Sequence, residues 1–135
     1  MTGLPILFKL LIAHFAGDFL LQPSRIVANR NKSLFSPALG YHLLIHLVCI
    51  LVLFLFDIEW FMVAAILVSH GFIDLLKTGA EMRLKQQASA GSGEGALQSL
   101  NIWTFVIDQA LHLIVIGLVW LIATDQAGVL YNWSV

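Results

Sequence analysis

The run ALGYHLLIHLVCILVLFLF, residues 38–56, decides the fold. It carries no Asp, Glu, Lys or Arg, and it ends in an acidic turn, Asp57-Ile58-Glu59. A hydrocarbon core about 30 Å thick takes roughly 20 helical residues at 1.5 Å each, so this run is long enough to cross one. Three further stretches read the same way, about Leu4 to Gln22, Trp60 to Thr78 and Ile102 to Ala123. The expected fold is therefore all-α: a polytopic membrane protein in which residues 1–135 form a single four-transmembrane-helix bundle.

Composition agrees with this. The chain is 59% hydrophobic and 11% charged, with a mean hydropathy of +0.89, whereas soluble domains are roughly a quarter charged. A soluble fold has no means of hiding so much apolar surface. The formal net charge of −1 offers no basic excess for a nucleic-acid partner. The expected partner is the lipid bilayer. Cys49, the single cysteine, lies inside the apolar run, which excludes an intrachain disulfide and the cysteine zinc spacings and leaves a small core hydrophobe. At the N-terminus, Lys9 interrupts the apolar stretch and no basic region precedes it, so the first span reads as a retained helix and not a signal peptide.

The connections differ in character. Residues 23–37 are polar with Pro23 and Pro37; residues 57–59 are a tight turn; residues 79–101 read as a flexible cytoplasmic loop, rich in Gly and Ser from Ala88 to Ala96. Six of the seven basic residues, Arg25, Arg30, Lys32, Lys77, Arg83 and Lys85, fall in the first and third connections or at their edges. The positive-inside rule places those connections in the cytoplasm and both termini outside. Trp60, Tyr131 and Trp133 then fall at the outer interface and Trp103 at the inner one. Glu81, with Asp57, Glu59, Glu94 and Asp125, reads as a solvated loop residue.

Each span carries one pair of polar residues four apart: His14 and Asp18, His42 and His46, His70 and Asp74, Asp108 and His112. Residues four apart share a helix face, one turn apart. Although the helices alternate in direction, counting inward from the cytoplasmic ends puts Asp18, His42, Asp74 and Asp108 at a depth of roughly 6–8 Å, and His14, His46, His70 and His112 at roughly 12–14 Å. Two layers result. An Asp near a helix centre costs about 2.5–3.5 kcal/mol to insert, and such groups face the bundle interior with partners. The segments His14-Phe-Ala-Gly-Asp18-Phe-Leu-Leu and His70-Gly-Phe-Ile-Asp74-Leu-Leu also echo each other, so the chain reads as two related helical hairpins. Gly17 and Gly71 fit close helix packing.

Imidazole and carboxylate donors from four helices suit a divalent transition metal, zinc first, as one ion or as two about 3.5–4 Å apart. A centre open toward the cytoplasm suits a metal-dependent hydrolase acting on an ester or phosphoester, with an anionic lipid or a small phosphoester as substrate. Asp18 or Asp108 takes the proton from water in that scheme. Gln22, Lys77 and Gln109, beside the cluster, would orient substrate. Asp18 and Asp74 have a second reading as salt-bridge partners of Lys77. The alternative function is transport or sensing of a transition metal or protons, for which a homo-oligomer would build the path between chains, since the outer halves of the spans are almost wholly apolar. A haem with axial His pairs is a third reading, and three carboxylates suit its apolar pocket poorly.

The set His14-x-x-Gly17-Asp18-Phe19-x-Leu21-Gln22, His42-x-x-x-His46, His70-x-x-x-Asp74-x-x-Lys77 and Asp108-Gln109-x-x-His112 resembles a family of small bacterial inner-membrane proteins known as domain of unknown function 3307. The likeness covers nearly the whole chain. It implies a multi-pass protein of the bacterial inner membrane and brings no activity with it.

Overall fold

In the computed structural model, residues 3–21, 36–55, 57–88 and 94–124 are described. Four α-helices account for nearly all of them: α1 (Gly3–Phe15), α2 (Pro37–Phe54), α3 (Trp60–Ala88) and α4 (Glu94–Ala123). Each contains a stretch long and apolar enough to cross a membrane, α1 together with the π turn that continues it. Consecutive helices pack side by side and α4 closes back on α1, with the most extensive interface between α3 and α4. The result is a closed four-helix ring made of two hairpins.

The helix ends follow from local chemistry. Pro37 opens α2, where its missing N–H costs nothing. At the other end, Leu55 takes the left-handed conformation (φ 51°) and its N–H returns to Leu51 and Val52. Asp57 N–H then bonds the Phe54 carbonyl at 2.9 Å, and the Glu59 carbonyl accepts from Met62 and Val63 to start α3. A turn this short leaves no room for a gentler reversal.

The distribution of side chains is inverted relative to a soluble protein. Leu44, Val48, Val52, Val68, Phe72, Leu118 and Ile122 point outward, while nine polar or charged residues among those described, five of them His, are buried. In the half of the bundle away from the cluster, Leu10, Ile50, Phe54, Met62, Val63, Ile66, Ile116 and Val119 pack into a continuous apolar core. Lys9 lies 5.1 Å from the centre of the Phe54 ring, which gives this charge an aromatic face within the span. Trp120 Nε1 donates to the Gly3 carbonyl and ties the end of α4 to the start of α1.

Two expectations need correction. Residues 79–88 and 94–101, read as part of a loop, are helical, because hydropathy marks where apolar residues stop and not where a helix does. Ala80, Glu81, Met82, Leu84, Lys85 and Gln86 are good helix formers and carry α3 on. Glu81, read as solvated, is accordingly buried on α3 at 9% exposure, with Thr78 buried beside it at 4%. Gln22, Arg25, Arg30, Lys32, Tyr131 and Trp133 lie outside the described residues, as do residues 89–93 of the expected flexible stretch.

A leucine in the left-handed region costs about 1–2 kcal/mol relative to its usual conformations. Leu55 is 80% exposed, so its side chain offers little to offset this. Leu55→Gly is expected to raise the unfolding midpoint in detergent, and a lowered midpoint would show that the side chain matters more than the backbone.

Candidate metal centre

The cluster begins with a break in helix geometry. After Phe15, residues Ala16–Leu20 wind as one π turn, closed by the Leu21 N–H to the Ala16 carbonyl at 2.9 Å. The turn carries Gly17 and Asp18, and a π turn of this kind often marks a functional position. Its cause is visible at Gly17: a Cβ there would lie 2.5–2.8 Å from three atoms of the His46 ring. Only glycine lets α1 come this near to α2. Gly71 has a milder version of the role, with Leu43 3.1 Å from the position of a Cβ.

With α1 so placed, Asp18 reaches into the bundle. Its Oδ1 lies 3.0 Å from His46 Nε2, 3.3 Å from His42 Nε2 and 3.8 Å from His70 Nε2. His42 and His70 bring their Nε2 atoms to 2.9 Å of each other. These four residues form one group able to share an ion, their donor atoms all within 4.8 Å of one another. A tetrahedral site with bonds of about 2.0–2.1 Å has donor-to-donor edges of about 3.3–3.4 Å. The observed separations bracket that value. His42, His46 and His70 are at most 3% exposed, and α2 and α3 hold them on rigid turns.

A second group joins His70, Asp74 and His112. Asp74 Oδ2 is 3.3 Å from His42 Nε2 and 3.6 Å from His70 Nε2, so it touches both groups. His14 belongs to neither. Its ring stacks on His112 at 5.1 Å between centres, and it stands 3.8 Å from Asp18 Oδ2. The four histidines of the expected deeper layer do meet, with ring centres 4.0 Å apart for His46 and His70 and 4.1 Å for His70 and His112. His42, expected in the shallower layer, reaches across to His70, so the two layers interlock.

Asp108 belongs to neither group, although its Oδ1 lies 3.7 Å from His112 Nδ1. Lys77 Nζ donates to its Oδ2 at 2.9 Å, and Gln109 Nε2 bridges Asp108 Oδ2 at 3.3 Å and Asp18 Oδ2 at 2.9 Å. Lys77, read as a partner for Asp18 or Asp74, therefore pairs with Asp108, because the α3/α4 interface brings α4 to that face of α3. Lys77 Nζ also lies 5.5 Å from the Phe105 ring centre.

Five buried polar atoms in this one region have no hydrogen-bond partner among the described residues: both ring nitrogens of His14, His112 Nε2, Asp108 Oδ1 and Gln109 Oε1. Each such atom costs about 1–3 kcal/mol when left unmade. Packing histidines alone would be expected to satisfy themselves, so the concentration of unserved donors and acceptors fits a site made to hold something. The described residues are compatible with a metal centre in number, chemistry and spacing.

Residues 6–134 match the model of a family described as protein of unknown function (DUF3307). The chain belongs to that family. No curated protein and no solved structure matches it. Membership in DUF3307 thus covers the helices and the cluster together, and the chemistry has to be argued from the residues.

The cluster depends on the clearance at Gly17. Gly17→Ala is expected to lower the unfolding midpoint by the equivalent of about 1–3 kcal/mol, the usual cost of overpacking. Gly40→Ala and Gly117→Ala, where a Cβ meets nothing within 4 Å, are expected to be neutral or stabilising. Equal effects at all three positions would remove the steric account of Gly17.

Proposed function

We propose that this protein is a metalloprotein of the bacterial inner membrane whose His/Asp cluster holds a divalent transition metal, zinc first, and hydrolyses an ester or phosphoester near the cytoplasmic face. The observation that carries the proposal is the convergence of His42, His46, His70 and Asp18 at tetrahedral spacing. The two groups share His70, which favours one ion at a time, with Asp74 orienting the imidazoles it touches. The orientation, with both termini outside, is supported by the basic residues of the first and third connections.

A catalytic zinc site keeps three protein ligands and an open corner. In this reading His42, His46 and His70 are the ligands, and a divalent ion they hold supplies Lewis acidity and a water reactive at neutral pH. Asp18 Oδ1, 3.0–3.8 Å from all three Nε2 atoms, would be the base for that chemistry. Its Oδ2 is steadied by Gln109. Asp108, fixed by Lys77 and Gln109, is the second carboxylate of the reaction and positions the substrate. Transport through a single chain is disfavoured by the apolar core of Leu10, Ile50, Phe54, Met62, Val63 and Ile66, which fills the bundle on the far side of the cluster. A path from the cluster then leads to one side only.

Metal analysis of the purified protein tests the first half. The wild type is expected to carry about one zinc per chain and His46→Ala almost none, while Asp74→Ala keeps it with affinity reduced about 10–100-fold, the usual effect of losing an orienting carboxylate. A wild type that binds no transition metal after exposure to zinc, manganese, iron, nickel and copper overturns the proposal.

Asp18→Asn separates catalysis from ligation. If Asp18 is the base, the variant keeps its zinc and loses about 10²–10⁴ in turnover of an ester or phosphoester substrate. Loss of the metal together with turnover would make Asp18 a fourth ligand and the site a closed, structural one.

A further inference from the structure

His112 is held in a way that the proposed hydrolysis does not use. Its Nδ1 lies 2.8 Å from the Asp108 carbonyl oxygen, and a carbonyl only accepts, so Nδ1 carries the proton. In the neutral ring Nε2 is then a bare lone pair, and this atom is buried with no hydrogen-bond partner among the described residues. One ring nitrogen anchored on a backbone carbonyl, with the other left to donate its lone pair, is the arrangement of a histidine that ligates a metal. His112 belongs with His70 and Asp74 to the second group, whose donor atoms lie within 4.8 Å of one another. Two imidazoles and a carboxylate are donors that zinc and its neighbours take.

This group and the one read as hydrolytic are joined at His70. Its ring centre is 4.0 Å from that of His46 and 4.1 Å from that of His112, so it stands between the two. Asp74 Oδ2 is 3.6 Å from His70 Nε2 and 3.3 Å from His42 Nε2, and so reaches both. The lone pair of His70 Nε2 serves one ion, which makes the groups fill in turn and not together. They also differ in access. The side chains of His70, Asp74 and His112 are 2–3% exposed, whereas that of Asp18, in the first group, is 11% exposed. With one donor fewer, the closed group is the weaker of the two.

We infer that His70, Asp74 and His112 form a second position for the same divalent ion, closed to substrate, and that the ion is exchanged between this position and the open group of Asp18, His42, His46 and His70. The exchange needs no free ion, because His70 and Asp74 keep their hold while His112 takes over from His42 and His46. Hydrolysis then scales with the share of chains whose ion is in the open group. The inference rests on the reading of the cluster as a metal centre, and it gives that centre a resting state.

The experiment uses the full chain in phosphatidylcholine nanodiscs, with ring-labelled histidine and an NMR-active cadmium isotope added in excess as the probe for a divalent ion. The wild type is expected to saturate at about one cadmium per chain, with splitting by cadmium on His42, His46 and His70. His46→Gln, which weakens the open group, should still take cadmium from solution, at least tenfold more weakly, and the splitting should now appear on His112 Nε2. Adding His112→Gln to His46→Gln should weaken binding at least tenfold further, whereas His112→Gln alone should keep the wild-type ion and its signals. If the double variant does not yield a monodisperse protein, the splitting on His112 in His46→Gln decides alone. Absence of that splitting, residual binding indifferent to His112→Gln, or two cadmium ions in the wild type overturns the inference and leaves the metal centre standing. A wild type that takes neither cadmium nor zinc overturns both.

Discussion

In a medium without water, a polar side chain has only other protein groups to turn to, and the whole bundle is arranged around that restriction. Three Asp and five His in the spans converge because separation would leave each of them unpartnered in hydrocarbon. Their meeting point sets where the helices must approach. It also explains why α1 changes its winding at Ala16–Leu20 and why a glycine lies against the His46 ring. The apolar residues have a looser task, since leucine is as much at home against lipid as against another helix. That is why large hydrophobics cover the outside of the bundle and polar groups its inside.

The same arrangement separates support from chemistry. Leu10, Ile50, Phe54, Met62, Val63, Ile66 and Ile116 form a dry block at one end of the bundle, on which the cluster is built. Asp18, the most exposed of its carboxylates at 11%, and the Lys77–Asp108 pair stand around the histidines. Gln109 links Asp18 to Asp108, so the carboxylate among the histidines and the one paired with Lys77 are held by a single side chain.

Much of this was legible in the sequence, and for identifiable reasons. Long uncharged runs cannot be mistaken for soluble helices when more than half of the expected charge is missing, and a spacing of four residues puts His42 and His46, or His70 and Asp74, on one face whatever the surroundings. Both are properties of a single helix. Less legible were relations between helices and the true ends of helices. Lys77 was read as a partner of Asp18 or Asp74, and only the α3/α4 interface assigns it to Asp108. Glu81 was hidden by a boundary drawn from hydropathy at Thr78, though the helix-forming run Ala80 to Gln86 was a signal that α3 continues. Gln22 was named beside the cluster, and it lies outside the described residues.

By itself the sequence determined the number of spans, the face each polar pair occupies and the fact that those pairs need one another, because hydropathy and the helical repeat are local quantities. The tertiary structure decided which donors share a point, that His70 belongs to both groups, that His14 and Asp108 belong to neither, and that Asp108 is the partner of Lys77. Those are matters of distance between chain segments far apart in sequence, and neither hydropathy nor the helical repeat carries them.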